Sequence, residues 1–342
     1  MLTILNDFLW GHVLVVVLVG VGLLYTIASR GVQFRYFYRM FGVLRGGLHH
    51  QQGQISSFQA LVVSVAGRVG SGNIAGVAVA ITLGGPGAVF WMWVIGLMGM
   101  ATSFFECSLA QLFKRRETDG SFRGGPAYYL LHGVRQRGLA VLYSVLLLVT
   151  FGLAFNALQS YVVASSLESS FGVPPWITGL AMVLLLGGTI FGGIQRIALV
   201  AEVVVPVMAL GYLLAALLVL GLNIERIPAM LVLIFNSAFG LDSAVGGGLG
   251  VALMQGVKRG LFSNEAGLGS APNVAAVATV PHPANQGVVQ AFSVFIDTLI
   301  MCTCTALIIL LSDVYHSGAT GVDGVALTQS ALARCVGAWG AG

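Results

Sequence analysis

Long apolar runs separated by short polar segments recur along the whole chain. Taken at ~20 residues per bilayer crossing, they predict spans at 13–28, 58–83, 88–113, 139–165, 176–191, 197–220, 228–256 and 288–311. A ninth apolar pattern begins near Gly324, and the sequence ends at Gly342. Between the first two spans, 29–54 carries Arg30, Arg35, Arg39 and Arg45 among aromatics. Within it, 33–44 reads as an amphipathic helix in the membrane interface, bearing Phe34, Tyr36, Phe37 and Phe41. Gly84-Gly85-Pro86-Gly87 is a tight turn before the third span. The loop 114–129 is hydrophilic. The stretch 258–286 is polar and rich in Gly and Pro, with Ser263-Asn264-Glu265 reading as the opening of a cytoplasmic helix.

Only 8% of residues are charged and 57% are hydrophobic, with a mean hydropathy of +0.92. Soluble domains carry about 25% charged residues, so these runs are the spans of an all-α polytopic membrane protein in the lipid bilayer. The net charge of +4 is no nucleic-acid signal, because the positive residues are confined to loops. Of the 16 Lys and Arg, all but Arg68, Arg226 and Arg334 fall in or beside the segments after the first, third, fifth and seventh spans. By the positive-inside rule those segments are cytoplasmic and the N-terminus lies outside the cell inner (plasma) membrane. Cys107, Cys302, Cys304 and Cys335 have no metal-ligand company and read as small core residues. Without a basic n-region or a cleavage site, the first run is a span, not a signal peptide.

Two spans are interrupted. The second contains Ala66-Gly67-Arg68-Val69-Gly70-Ser71-Gly72-Asn73-Ile74-Ala75-Gly76. Glycine in a helix interior costs about 0.5–1 kcal/mol against alanine, and a charge at membrane depth costs more. A broken helix accounts for both, because backbone freed from the ladder at this depth must line a cavity or be buried in protein. Gly72 and Gly76 also suit plain close packing between helices. The seventh span is interrupted at 235–250, around Phe239-Gly240-Leu241-Asp242 and Gly246-Gly247-Gly248. Two Gly-interrupted spans in opposite orientation, five spans apart, point to an inverted-repeat transporter with its site near the midplane.

Gly72-Asn73-Ile74-Ala75-Gly76-Val77-Ala78, then 84–93 (GGPGAVFWMW) and 260–272 (GLFSNEAGLGSAP), resemble the alanine or glycine:cation symporter family over essentially the whole chain. The resemblance implies sodium-coupled uptake of alanine or glycine, in some members proton-coupled. It also implies the leucine-transporter fold, five plus five spans in inverted repeat, with one extra span in front. On that pattern 1–56 is the extra span and its basic interfacial segment, 57–222 the first repeat and 223–342 an incomplete second one. About eight spans and part of a ninth are present, so the chain reads as C-terminally truncated. The alternative is a non-transporting fragment.

A zwitterionic substrate needs N–H donors for its carboxylate, and Ser71, Gly72 and Asn73 stand where that fold exposes amides. By position, the carbonyls of Ala66 and Val69 match its sodium ligands, and the Asn73 side chain is a further candidate. In the seventh span Phe239, Gly240 and Asp242 are candidates, Asp242 either as a ligand or as a helix cap. In the fourth, Phe155, Asn156 and Gln159 lie within one turn and share a face, either toward the ligand or toward a neighbouring helix. Preference for alanine and glycine would come from a cavity too small for longer side chains. Arg68 and Glu265 are candidates for a cytoplasmic gate or a static pair, with Glu202 and Glu106 as rival partners. Asp297, beside Thr298, is a further membrane acid, either protonated or bound by neighbours. A channel needs a continuous polar stripe, and an intramembrane enzyme needs a nucleophile with a base or a metal cluster. The sequence has neither.

Overall fold

The computed structural model describes residues 8–46, 54–118, 120–240, 248–315 and 324–337, with positions 4 and 6. Almost all of them are helical. α1 (Leu9–Ala28) opens with a π turn and is apolar throughout. Gly31, at φ 71°, reverses the chain into a short turn, Val32–Arg35, and then α2 (Phe37–Gly46). The expected interfacial helix is therefore two pieces.

The second span begins at a capping box. Ser56 Oγ accepts from Gln59 N, and Gln59 Oε1 accepts from Ser56 N, both at 3.1 Å, which satisfies two donors of the helix start. α3 (Ser57–Arg68) ends where Val69 turns extended, with ψ 106°. α4 (Gly72–Gly84) starts with a π turn, Gly72–Gly76, and is bent 51° from α3. The break is where the glycines and Arg68 predict it. Gly85, at φ 73°, then turns the chain into α5 (Gly87–Leu112). The loop after α5 holds a two-residue antiparallel pair, β1 (Arg115–Arg116) and β2 (Phe122–Arg123), followed by α6 (Pro126–His132). Next come α7 (Arg137–Phe171), α8 (Pro175–Ile190) and α9 (Gly193–Leu222).

The predicted seventh span is two helices, α10 (Ile227–Ala238) and α11 (Leu249–Asn264). Between them Gly240 has φ 68°; Asp242 and the rest of 241–247 lie outside the described residues. α11 continues eight residues past the expected end at 256, through much of the stretch read as polar loop. Ser263-Asn264-Glu265 therefore closes a helix instead of opening one. The reason is backbone sign. Glu265, Gly267 and Gly269 have φ of 52°, 86° and 85°, the left-handed conformation that stops helices.

α12 (Ser270–Val277) follows, and then α13 (Pro283–Leu311), with a π segment at Phe295–Cys302. The ninth apolar pattern is α14 (Gly324–Val336), 13 residues long. At ~1.5 Å per residue it is about 20 Å long, short of a bilayer core of about 30 Å. It lies against α4, α7 and α13.

The bundle has a centre and a rim. Of the apolar windows of α13 and α5, 72% and 56% are buried; for α9 and α7 the shares are 17% and 6%. α5 packs against α13, α11, α12, α10 and α1. The rim exposes Leu, Val, Ile and Phe along whole helices, as lipid-facing surfaces do.

Candidate functional site

At the break, side chains take over from the helix ladder. In an unbroken helix Gly70 N would bond the Ala66 carbonyl, but here it donates to Asn73 Oδ1 at 2.9 Å. Asn73 N, which would bond the Val69 carbonyl, goes to Gly70 O at 3.2 Å. The Ala66 and Val69 carbonyls thus lose those ladder donors, and Ala66 itself is exposed. Ser71 N donates to Gln159 Oε1 at 3.1 Å, so a residue of α7 reaches the break. Ser71 Oγ is buried and without a partner. Gly72 lies against α11: a Cβ there would stand 3.0 Å from Ser263 Cα, tighter than ordinary packing contact.

Opposite the break stands a buried carboxylate. Asp297 and Thr298 have no exposed surface, and Asn73 and Ser263 are 1% exposed. Asn73 Nδ2 lies 2.7 Å from Asp297 Oδ1. Ser263 Oγ and Thr298 Oγ1 donate to Asp297 Oδ2 at 3.0 and 2.8 Å. Cys302 Sγ is 3.3 Å from both Asn73 Nδ2 and Ser263 Oγ. Three segments that are far apart in the chain, α4, α11 and the π segment of α13, meet here. Asp297 is thus bound by neighbours: Thr298 next to it on α13, and Asn73 and Ser263 from the two other segments. All of them are neutral.

A second buried charge lies one turn away. Arg68 is 3% exposed. Its guanidinium donates to Ser293 Oγ, to Ser103 Oγ at 3.2 Å and to Gln290 O at 3.3 Å, while Nε has no partner. No ion pair joins Arg68 to Glu265. The Glu265 carboxylate accepts from Ser270 Oγ, Glu106 accepts from Gly267 N at 3.3 Å, and Glu202 accepts from Gln59 Nε2 at 3.0 Å.

Of the candidates named from the sequence, Ser71, Gly72, Asn73 and Gln159 come together. Asn156 does not join them: it is exposed, and its side chain bonds Gly152 O in its own helix at 3.2 Å. Phe155 stacks on Phe262 of α11, with ring centroids 5.2 Å apart. Phe239 packs on Phe90 and Phe235 at 5.2 and 5.0 Å, in an aromatic cluster at the start of α5. Among the described residues no hydrogen bond or ring contact carries it or Gly240 to the break. Ser263 was not singled out as a ligand from the sequence, though it sits inside the specific 260–272 motif. Among the described residues no group of His, Cys, Asp and Glu has metal-cluster geometry.

A family model described as the sodium:alanine symporter family matches residues 1–342. The chain is 49% identical over 340 residues to the probable sodium/glutamine symporter GlnT of Bacillus subtilis (strain 168), covering 99% of this chain and 70% of that protein. It is 47% identical over 339 residues to the amino-acid carrier protein AlsT of the same organism, covering 99% and 71%. It is also 46% identical over 266 residues to the sodium/proton-dependent alanine carrier protein of Bacillus sp. (strain PS3), covering 77% and 58%.

Proposed function

Since the chain belongs to the sodium:alanine symporter family, we propose that it carries alanine, glycine or both into the cell together with sodium. It is a multi-pass membrane protein and a cation-coupled amino-acid symporter, not an enzyme.

One observation carries the sodium reading. Asp297 is a fully buried carboxylate at a helix break whose neighbours are all neutral donors. A buried charge without a counter-charge costs several kcal/mol. A sodium ion would supply the missing charge and is a hard cation that takes oxygen ligands. The Asp297 carboxylate, Ser263 Oγ and the released carbonyls of Ala66 and Val69 offer them, as unwound backbone does in inverted-repeat transporters. A proton is the second candidate for the coupling ion, because the O–H of a protonated Asp297 can donate to the hydroxyl oxygen of Ser263 or Thr298, each of which accepts as well as donates.

The substrate carboxylate is assigned to the amides of Ser71, Gly72 and Asn73, of which Asn73 N donates to Gly70 O in this conformation. Gln159 Oε1 on Ser71 N holds the place that a substrate oxygen would take, so binding displaces Gln159. Asp242, which lies outside the described residues, is assigned to the ammonium side. Arg68 and Glu265 each hold their own partners, so Arg68 is read as structural and not as half of an inner gate. The fold assigned is an inverted repeat of 57–222 and 223–342, with the N-terminus outside.

Glutamine is the second substrate reading, on the strength of the 49% identity to a protein named as a sodium/glutamine symporter. Uptake of labelled alanine into proteoliposomes, with and without an inward sodium gradient and with glycine or glutamine as competitor, separates the two. Sodium-driven alanine uptake inhibited by glycine is expected. Sodium-driven glutamine uptake unaffected by alanine would replace the substrate, and uptake independent of sodium would overturn the coupling ion.

A further inference from the structure

Between Asp7 and Glu106 the sequence has no Asp or Glu, yet it has Arg30, Arg35, Arg39 and Arg45. None of these four arginines has an ion-pair partner among the described residues. Arg35 and Arg39 lie over the Tyr36 ring, 5.6 and 5.8 Å from its centroid. α2 is seated by one face only. Met40 is fully buried there, and the Phe37 ring is 5.0 Å from Phe295 while the Phe41 ring is 5.1 Å from Phe292, both on α13. The other face is open, with Tyr38 87% exposed, and Phe34 in the turn before it is 64% exposed. Beside it runs a groove of about 530 Å³ lined by Tyr38, Phe41, Gly42, Leu44, Arg45 and Phe58. The groove is apolar with one arginine at its edge.

We propose that this face of α2 docks an anionic phospholipid. An acyl chain lies in the groove, the phosphate meets Arg45, and Arg35 and Arg39 hold the headgroup region. Three observations favour this occupant. α1 ends at Ala28, so α2 follows a membrane-spanning helix by a few residues and lies at the interface. Exposed aromatics beside arginines suit the boundary between acyl chains and headgroups. Unopposed arginines suit a negative headgroup over a zwitterionic one. The site reaches function through α13, because Phe292 and Phe295 flank Ser293, which holds Arg68, and stand just before Asp297. A bound lipid steadies this half of α13 through the Phe37 and Phe41 rings. The inference rests on the chain spanning a bilayer and not on the identity of substrate or ion.

The test uses the purified chain in detergent, titrated with phosphatidylglycerol or phosphatidylcholine of the same acyl composition. Phosphatidylglycerol should raise the unfolding temperature and slow amide exchange over 290–297, and phosphatidylcholine should do neither. The rise should shrink with salt. Arg35→Gln/Arg39→Gln/Arg45→Gln should abolish the difference between the lipids, with affinity falling about fivefold per arginine removed. Arg115→Gln/Arg116→Gln, an exposed basic pair elsewhere, should preserve it. Should the triple variant not fold, Arg45→Gln alone should still show the fivefold loss. Equal responses to the two lipids, or a difference retained without these arginines, would overturn the proposal. None of these readouts involves transport, so a failed coupling-ion assignment leaves them intact.

Discussion

Arg68 and Asp297 are both buried, opposite in charge and held between the broken span and α13, yet their surroundings serve different ends. Ser293, which holds Arg68, and Asp297 are one helical turn apart on α13. Arg68 and Asp297 do not pair. Each is bonded to neutral groups of its own: Ser103, Ser293 and the Gln290 carbonyl around the guanidinium, Asn73, Ser263 and Thr298 around the carboxylate. An Arg68–Asp297 ion pair would be self-sufficient and would leave no charge for a ligand to complete. Arginine stays protonated in proteins, so its shell has to be permanent. A carboxylate can be completed from outside by a cation that comes and goes. The guanidinium end therefore reads as structure, and the carboxylate end as the place where a coupling ion binds.

Replacing the charge of Asp297 should have the largest effect. Asp297→Asn keeps the shape and removes the anion. Losing one partner of a buried charge pair costs 3–5 kcal/mol, so apparent sodium affinity in proteoliposome uptake should fall about 100-fold or more, with the protein still folded. Arg68→Gln should behave in the opposite way. It strands Ser103 and Ser293 without their donor, a cost of about 1–3 kcal/mol, visible as a lower unfolding temperature. The sodium dependence of uptake in the folded fraction should stay within about threefold. If Arg68→Gln lost sodium dependence as Asp297→Asn does, the two ends would be one functional unit and the contrast between them would fail.

Gln159 sharpens the contrast from the substrate side. Its Oε1 occupies Ser71 N, and such a hydrogen bond contributes about 0.5–1.5 kcal/mol net. If Gln159 only holds the place of the substrate, Gln159→Ala should lower KM for the amino acid two- to tenfold on that energy and leave sodium affinity unchanged. A raised KM would instead make Gln159 a direct substrate ligand.

Much of the break was legible beforehand because it is a contrast in composition: four glycines and an arginine inside an apolar run. Such a contrast is local, and so is the turn that starts α5. What the pattern could not carry was partnership. Asn73 meets Ser263 across 190 positions and Asp297 across 224, and nothing in hydropathy encodes which helix faces which. Ser263 was hidden further because 258–286 looks polar. Lys258, Arg259 and the glycines mask a helix that runs on to Asn264, and only the left-handed Glu265 and Gly267 end it. The same gap affects Phe239, which looked like part of a site and whose ring packs on Phe90 and Phe235.

The smallest expected effect is at Asn156, and it tests what shared faces mean. Asn156 and Gln159 are three residues apart, which places them on one side of a helix; that spacing made both of them candidates. The spacing fixes their angle to each other but not the rotation of the helix against the bundle. α7 is the least buried of the long apolar helices, and its π turn at Thr150–Phe155 shifts the register just before Asn156. Gln159 consequently reaches Ser71, while Asn156 turns back to Gly152 O and stays exposed. Intrahelical bonds of this kind have other acceptors and donors at hand, so Asn156→Ala should change KM and sodium affinity by less than about twofold, within the half kilocalorie typical of surface positions. Parallel uptake curves for Asn156→Ala and Gln159→Ala measure the difference directly. An Asn156 effect as large as that at Gln159 would mean that α7 rotates during transport and brings both amides to the break in turn.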